Sequence, residues 1–379
     1  MNTRIDMATE SIRSRIGREA RALVAPGPRM IDELECAASV ALAILLAHLL
    51  GAHNISWAAF SGFVVMRGHV SESVLRGALR IVGTVAGAGL ALLTAPYLLD
   101  WPLRISIVGG LVAAGSLYGA LTGKRAYAWL LSGLTFEMIL LDALERPGTV
   151  LGEVAGTRLL EVLAGTTACI LVSLTSSLTV RRRWPAPPAP RAVRIGWHPN
   201  ALRHAAQAGV AVALLPFLWA RFHIPELAQS GVTIMAVMLV PVTSLGATGF
   251  PQVSRRLMQR IAGCLAGAAV AAAILFTANG SAPVLIAGTL IGVIVGRHIE
   301  NGKSAIAYVG MQFVLAILVT LVPDDYGAAE IGPAMERLTG ILIGMALLEP
   351  VLLAWHLIGR RWAREAEPVA PADPGYNNE

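Results

Sequence analysis

Apolar segments of membrane-spanning length succeed one another along this chain, separated by short polar breaks. A helix needs about 20 mostly apolar residues to cross the hydrocarbon core of a bilayer. Only 14% of the residues are charged, against about 25% in soluble domains, so the chain lacks the charges for a soluble surface. The apolar segments are 33–52, 55–70, 78–95, 103–122, 126–142, 159–178, 201–219, 227–249, 260–277, 282–297, 304–322 and 338–358. We therefore predict an all-α, polytopic membrane protein with about 12 transmembrane helices.

A linker rich in arginine and proline divides these segments into two blocks of six. We predict a cytoplasmic interfacial helix within 1–32, six-span repeats at 33–180 and 201–358, a cytoplasmic linker at 181–200 and a disordered cytoplasmic tail at 359–379. The second segment is the shortest, because it is cleanly apolar only from Ile55 to Met66. A re-entrant segment is the alternative there.

Lysine and arginine are distributed unevenly between the two sides that this topology predicts. With 12 spans and both termini in the cytoplasm, 25 of the 30 basic residues lie on the cytoplasmic side. Cytoplasmic loops carry such an excess in known membrane proteins. The net charge of +6 is therefore interpreted as a topology signal and as attraction to anionic membrane lipids, not as nucleic-acid binding.

Three sequence patterns recur in the second block at nearly the same offset. They are an Arg-x-x-x-Arg-x-x-Gly-x-x-x-Gly pattern, a series of three glycines spaced by four, and an arginine followed by glycine seven residues later. The first copies begin at Arg76, Gly115 and Arg158, and the second copies begin at Arg256, Gly288 and Arg337. An internal duplication accounts for this. Because six spans is an even number, we predict parallel repeats related by an axis along the membrane normal, with a cavity between them.

The pattern Arg-x-x-x-Arg-x-x-Gly-Thr-x-x-Gly at 76–87 resembles the fusaric acid resistance family and its relatives, the aromatic acid exporters. The Ser56-Trp57-Ala-Ala run and the glycine-spaced span at 158–165 resemble the same family, and the resemblance covers both blocks. The second copy departs from the pattern, with Cys264 where the first has Thr84. The resemblance implies proton-driven export of aromatic carboxylates or related toxic organic acids across a bacterial inner membrane, with a periplasmic adaptor protein as partner. Many relatives carry a large cytoplasmic domain where this chain has only its linker.

Ionisable side chains inside predicted spans are the candidates for proton coupling, because burying them in a membrane is costly. They are Glu137, Glu349 and His48. Each has a structural alternative, in which a carboxyl group hydrogen-bonds a neighbouring helix or the histidine packs at the interface. Glu137 and Glu349 lie at similar predicted depths, so we expect them to meet across the central cavity.

Several polar residues are candidates for binding an organic anion. For the substrate itself they are Arg158, Glu161, Arg337, Gln207 and Gln312. The i,i+4 pairs Arg76/Arg80 and Arg256/Arg260 would form a cytoplasmic vestibule that collects anions. The alternatives are snorkelling ion pairs for the first set and anchoring to lipid headgroups for the second.

The sequence shows no metal-ligand cluster, nucleotide-binding loop or hydrolase motif, so no cofactor, metal or enzymatic activity is predicted. The predicted function is a secondary, proton-coupled exporter of aromatic carboxylates or related organic anions. A non-transporting scaffold, assembly factor or lipid-binding factor of the membrane is the alternative. The predicted partners are the organic anion and membrane lipids, and a homo-oligomer is left open.

Overall fold

The computed structural model describes residues 21–23, 25–188, 196–242, 250–302 and 306–365, the last eight of them by their backbone alone. These ranges contain no β-strand, which confirms the all-α prediction. The predicted interfacial helix, the middle of the linker and the tail fall largely or wholly outside them. The helices are α1 Pro28–Leu49, α2 Ile55–Val65, α3 Val70–Leu98, α4 Pro102–Thr122, α5 Ala126–Glu145, α6 Leu151–Leu178, α7 Pro199–Phe222, α8 Leu227–Met238, α9 Phe250–Ala278, α10 Ala282–Asn301, α11 Ala307–Leu321 and α12 Gly332–Glu365.

Eight of the described helices are long and apolar enough to cross a membrane by themselves, so the chain is a multi-pass membrane protein. They are α3 to α7, α9, α10 and α12. Large apolar side chains on their outer faces suit contact with lipid; Phe276 on α9, for example, is 91% exposed. Helix α1 has 22 residues. Because Asp32, Glu33 and Glu35 lie in its first turns, its apolar part is too short for it to be counted among the eight.

Two helices at corresponding positions of the two halves are too short to cross a bilayer. Helix α2 has 11 residues and α8 has 12, which at 1.5 Å per residue gives about 16 to 18 Å. The sequence predicted apolar segments of 55–70 and 227–249 here, and both predictions were too long for the helix that forms. Short or broken helices at corresponding positions of two repeats mark the binding region in many transporters.

Side chains from neighbouring helices allow α2 to end inside the protein. The last carbonyl groups of a helix have no partner within it. Here Ser39 donates to the carbonyl of Gly62 across 2.9 Å, and Arg76 donates to that of Val64 across 3.0 Å. In α8, the ring of His204 contacts the carbonyl oxygen of Met238 at 2.9 Å. The early ends of both helices are therefore stabilised by side chains distant in sequence.

A carboxylate of the opposite half caps the start of each short helix. Asp324, which follows α11, accepts hydrogen bonds from the backbone N–H groups of Asn54 and Ile55, at 3.0 and 2.8 Å. Glu145, at the end of α5, accepts them from the first N–H groups at the start of α8, at 2.7 and 3.0 Å. Carboxylates stabilise helix N-termini through these N–H groups and through the helix dipole.

The two halves meet along two reciprocal seams. Helix α4, the fourth of the first half, packs on α7, the first of the second half; likewise α10, the fourth of the second half, packs on α1. Within each half, the third helix also packs against the fifth and the second against the sixth. This pattern is the one expected when equivalent halves exchange equivalent contacts around a two-fold axis.

The α4–α7 seam is a close contact between glycines. A Cβ atom added to Gly209 would lie 2.5 Å from the carbonyl oxygen of Gly110, and one added to Gly110 would lie 2.8 Å from that of Gly209. Small residues allow such an approach between helices in a membrane.

The α1–α10 seam, in contrast, is joined by buried charges. Arg297 pairs with Asp32 at 2.7 Å, and the ring of His298 contacts Glu33 at 2.7 Å. Arg181, just beyond α6, pairs with Glu35 of the same cluster. The two seams are thus equivalent in position and different in chemistry.

Candidate substrate-binding cavity

A cavity of about 230 Å³ lies between the two halves. Its walls come from the second, third, fifth and sixth helices of each half, namely α2, α3, α5, α6, α8, α9, α11 and α12. The short helices α2 and α8 both contribute, with Trp57 and Phe60 on one side and Val232 and Ala236 on the other. The predicted cavity between repeats is therefore present, and its lining is mostly apolar and aromatic.

The charged residues of this lining are almost all arginines. Six arginines and one carboxylate line it, and the arginines form three pairs that are equivalent between the repeats. The pairs are Arg76 with Arg256, Arg80 with Arg260, and Arg158 with Arg337. An excess of five positive charges in an apolar cavity favours the binding of anions.

In the first half, two of these arginines contact one tyrosine. The guanidinium of Arg76 lies over the ring of Tyr127, 4.1 Å from its centroid, and Arg80 donates to the Tyr127 hydroxyl across 2.8 Å. Arg80 also donates to the hydroxyl of Ser61 across 3.1 Å. Cation–π and hydrogen-bond contacts of this kind partly offset the cost of holding a guanidinium away from water.

The second half repeats this arrangement with a difference. The guanidinium of Arg256 lies 4.3 Å from the ring centroid of Tyr308, and Nη1 of Arg260 lies 3.5 Å from the Tyr308 hydroxyl. Gln312, where the first half has Leu131, then accepts hydrogen bonds at its Oε1 from Arg260 at 3.0 Å and Arg337 at 3.3 Å. Two guanidinium groups thus share one neutral oxygen.

Three of these arginines are almost completely buried. Arg80 is 4% exposed, Arg260 is 2% exposed and Arg337 is 7% exposed. A snorkelling arginine keeps its charged group in water or among headgroups, which such burial excludes. The burial of Arg80 and Arg260 argues against the headgroup-anchoring alternative, while Arg76 and Arg256 are half-buried and line the same cavity.

Helix geometry places the cavity inside the bundle, away from both of its ends. Arg80 lies 10 residues after the start of α3, about 15 Å along the helix, and Arg158 lies 7 residues after the start of α6, about 10 Å along it. The two helices start at opposite ends of the bundle. The two arginines therefore lie about two to three helical turns inside the bundle, each measured from a different end.

The single carboxylate belongs to the sixth helix of the first half. Glu161 is buried and pairs with Arg158 at 3.1 Å, and Arg158 lies over the ring of Trp57, 4.2 Å from its centroid. At the position equivalent to Glu161 the second half has Gly340, where an added Cβ would lie 2.6 Å from the Cβ of Gln229. This half therefore has no room for a matching carboxylate.

Four candidate residues lie outside the cavity lining. His48 is exposed and stacks on Tyr326, and Gln207 is buried within α7. Glu349 is half-buried and accepts a hydrogen bond from Ser254 at 2.7 Å. Glu137 is fully buried against Gly109 of α4.

The expectation that Glu137 and Glu349 meet across the cavity is therefore wrong. Neither residue lines it, and each packs against a different neighbour. Counting residues along a helix gives the depth of a side chain in the bundle, but it does not give the face of the helix on which that side chain lies.

The structure also contains site residues that sequence reasoning missed. Tyr127 and Tyr308 stand near the start of the fifth and eleventh helices, at nearly the offset that relates the arginines. An Ala-Tyr pair at both positions is the signal that would have identified them. Their role depends on arginines some 50 residues earlier in the sequence, which no local pattern shows.

Comparison with known proteins identifies a family that the chain matches. The model of a family described as fusaric acid resistance protein-like matches residues 42–172 and 234–348, which together include every arginine of the cavity. No curated protein and no solved structure matches the chain.

Proposed function

The chain belongs to the fusaric acid resistance protein-like family, and we propose that it is a secondary transporter that exports aromatic carboxylates or related organic anions. The observation that carries this proposal is the cavity between the halves, with six arginines, one carboxylate and a largely apolar wall. Arginine suits the carboxylate of such a substrate, because its planar guanidinium can donate two parallel hydrogen bonds. The apolar and aromatic wall suits the ring.

The two seams support transport by alternating access. In transporters built from repeats, one half rocks against the other around a site at mid-depth. Here the close glycine contact of α4 and α7 suits a fixed pivot, and the ion pairs of α1 and α10 suit a contact that opens and closes. We propose that the cavity opens alternately to the two sides of the membrane through such a motion.

Glu137 is the proposed proton-coupling residue, with Glu349 and His48 as weaker candidates. It is buried among α4, α5 and α8, where the two halves adjoin, and neither of its carboxyl oxygens has a hydrogen-bond partner among the described residues. An ionisable group in this position is a functional candidate. Its replacement by glutamine should leave the protein in the membrane and reduce proton-driven export.

We propose a bacterial inner-membrane location with both termini in the cytoplasm, supported by the 25 to 5 distribution of basic residues. Membrane lipids contact the exposed apolar faces. A periplasmic adaptor protein and a second copy of the chain remain proposed partners, which co-purification after cross-linking in cells would reveal.

A growth screen tests the function and identifies substrates. A strain lacking the gene is grown with a panel of aromatic acids, and the wild-type gene, an Arg260→Ala variant or an Arg104→Ala variant is returned to it. Arg104 is exposed and outside the cavity, so its variant is the matched control. We expect the wild type and the control to restore growth on at least one acid and Arg260→Ala to fail at equal abundance. Equal sensitivity of all strains to every acid would favour the scaffold alternative.

A further inference from the structure

The cavity is asymmetric in charge even though its arginines are paired between the repeats. In the first half, Glu161 neutralises Arg158 at 3.1 Å. In the second half, the acceptors of Arg260 and Arg337 are neutral: both donate to the Gln312 oxygen, and Arg260 also contacts the Tyr308 hydroxyl. Among the described residues neither of these two arginines has an ion pair, and Nε and Nη2 of Arg260 and Nε of Arg337 have no hydrogen-bond partner.

Sequence differences between the repeats produce this asymmetry. Gln312 replaces Leu131, which brings an acceptor between two guanidinium groups, and Gly340 replaces Glu161, which removes the carboxylate. Tight packing of Gly340 against Gln229 keeps this position free of any side chain. The side of the cavity at Arg158 thus has an internal anion, whereas the side at Arg260 and Arg337 has only a neutral acceptor.

We propose that Glu161 is a specificity-determining residue that restricts this cavity to aromatic substrates with a single carboxylate. This inference rests on the proposed function. The substrate carboxylate binds Arg260 and Arg337 with their unused donors, and its ring lies in the apolar part of the cavity. At Arg158, the Glu161 carboxylate already occupies the position that a second carboxylate of the substrate would need.

Electrostatics gives the direction of the effect. A second carboxylate on the ring would face Glu161 within a cavity of low polarity, where like charges placed together oppose binding. Without Glu161, Arg158 would be free to bind that carboxylate through its guanidinium. We therefore expect Glu161 to prevent the binding of dicarboxylates, and we expect its removal to allow them to bind.

Calorimetric titration of the purified, detergent-solubilised full chain tests this inference. The probes are benzoate and the three benzenedicarboxylates, whose second carboxylate points in three different directions. We expect the wild type to bind benzoate at least about tenfold more tightly than every dicarboxylate. Glu161→Gln, which keeps the size of the side chain, should bind at least one dicarboxylate more tightly than benzoate. Glu161→Ala should show the same reversal if glutamine impairs folding.

Two further variants make the result specific. Glu153→Gln removes an exposed carboxylate two turns earlier on the same helix, so the wild-type preference should remain. Gln312→Leu, which copies the first half, should weaken benzoate binding. If Glu161→Gln and Glu161→Ala bind benzoate but keep the wild-type preference, Glu161 does not set specificity. If the wild type binds no aromatic carboxylate from a wider panel, the proposed function itself is wrong.

Discussion

Glu145 ends the fifth helix of the first half, Asp324 follows the fifth helix of the second half, and each caps the short helix of the opposite half. Each accepts two backbone N–H groups, at 2.7 and 3.0 Å for Glu145 and at 3.0 and 2.8 Å for Asp324. The short helices α2 and α8 form walls of the cavity. The position of each wall is therefore set by a residue of the other repeat.

Removing either cap should destabilise the protein. We expect Glu145→Ala and Asp324→Ala each to lower the free energy of unfolding by about 1 to 2 kcal/mol, because two N–H groups and a helix dipole lose their anion. The measurement is the thermal unfolding midpoint in detergent, followed by tryptophan fluorescence. Asp100→Ala, an exposed carboxylate of the loop between α3 and α4, is the control and should change it little. Midpoints for the cap variants that match the control would refute the role of the caps.

The glycine seam predicts different tolerance at two glycines. Gly209→Ala should cost about 1 to 3 kcal/mol, because the new methyl group would lie 2.5 Å from the backbone oxygen of Gly110. Gly115→Ala, on α4, meets no atom within 4 Å and should be neutral or slightly stabilising. The yield of monodisperse protein on size-exclusion chromatography distinguishes the two variants. Equal yields would mean that α4 and α7 do not pack as closely as described.

The charged seam should be sensitive to loss of one partner. Arg297 is buried, and Asp32→Asn would leave it with Glu300 alone, so we expect a loss of at least about 2 kcal/mol in unfolding free energy. In the control, Asp142→Asn breaks the pair with Arg146, whose side chain is 67% exposed, and should cost no more than about 1 kcal/mol. Thermal unfolding midpoints compare the two. A smaller effect at Asp32 than at Asp142 would contradict the buried pairing.

Cysteine labelling should place the linker in the cytoplasm. Cys36, Cys169 and Cys264 are all buried, so a membrane-impermeant maleimide should react little with the native chain. Exposed Pro188→Cys in the linker should react only after cell lysis, whereas exposed Pro147→Cys between α5 and α6 should react in intact cells. The reverse pattern would mean that the chain is inserted in the opposite orientation.

Much of the fold could be predicted from the sequence, because few structures satisfy the backbone hydrogen bonds of a chain inside a bilayer. A membrane-spanning chain has to satisfy its backbone within helices, so apolar length and composition indicated the helical class. The three patterns beginning at Arg76, Gly115 and Arg158 identified the repeats. The true lengths of α2 and α8 could not be predicted, because their ends depend on side chains of other helices, such as Ser39 and Arg76, whose contacts form only in the packed bundle.

The site was only partly predictable. The sequence identified all six arginines of the cavity but separated them into a vestibule and a substrate site, whereas the structure brings them together. Long guanidinium side chains reach across helices, so their meeting point depends on tertiary packing. Glu137 and Glu349 illustrate the same limit, since depth along a helix does not give the face on which a side chain lies.

Transport by the purified protein tests most directly whether the arginine-lined cavity carries organic anions. The chain is reconstituted into liposomes with a pH gradient, and flux is measured for the radiolabelled aromatic acid that the growth screen selects. We expect gradient-driven flux for the wild type and Arg104→Ala. In Arg260→Ala the flux should fall at least about 30-fold. Loss of one buried charged contact costs about 2 kcal/mol, which corresponds to a factor of about 30. Equal flux through wild-type and Arg260→Ala liposomes of matched protein content would contradict the account.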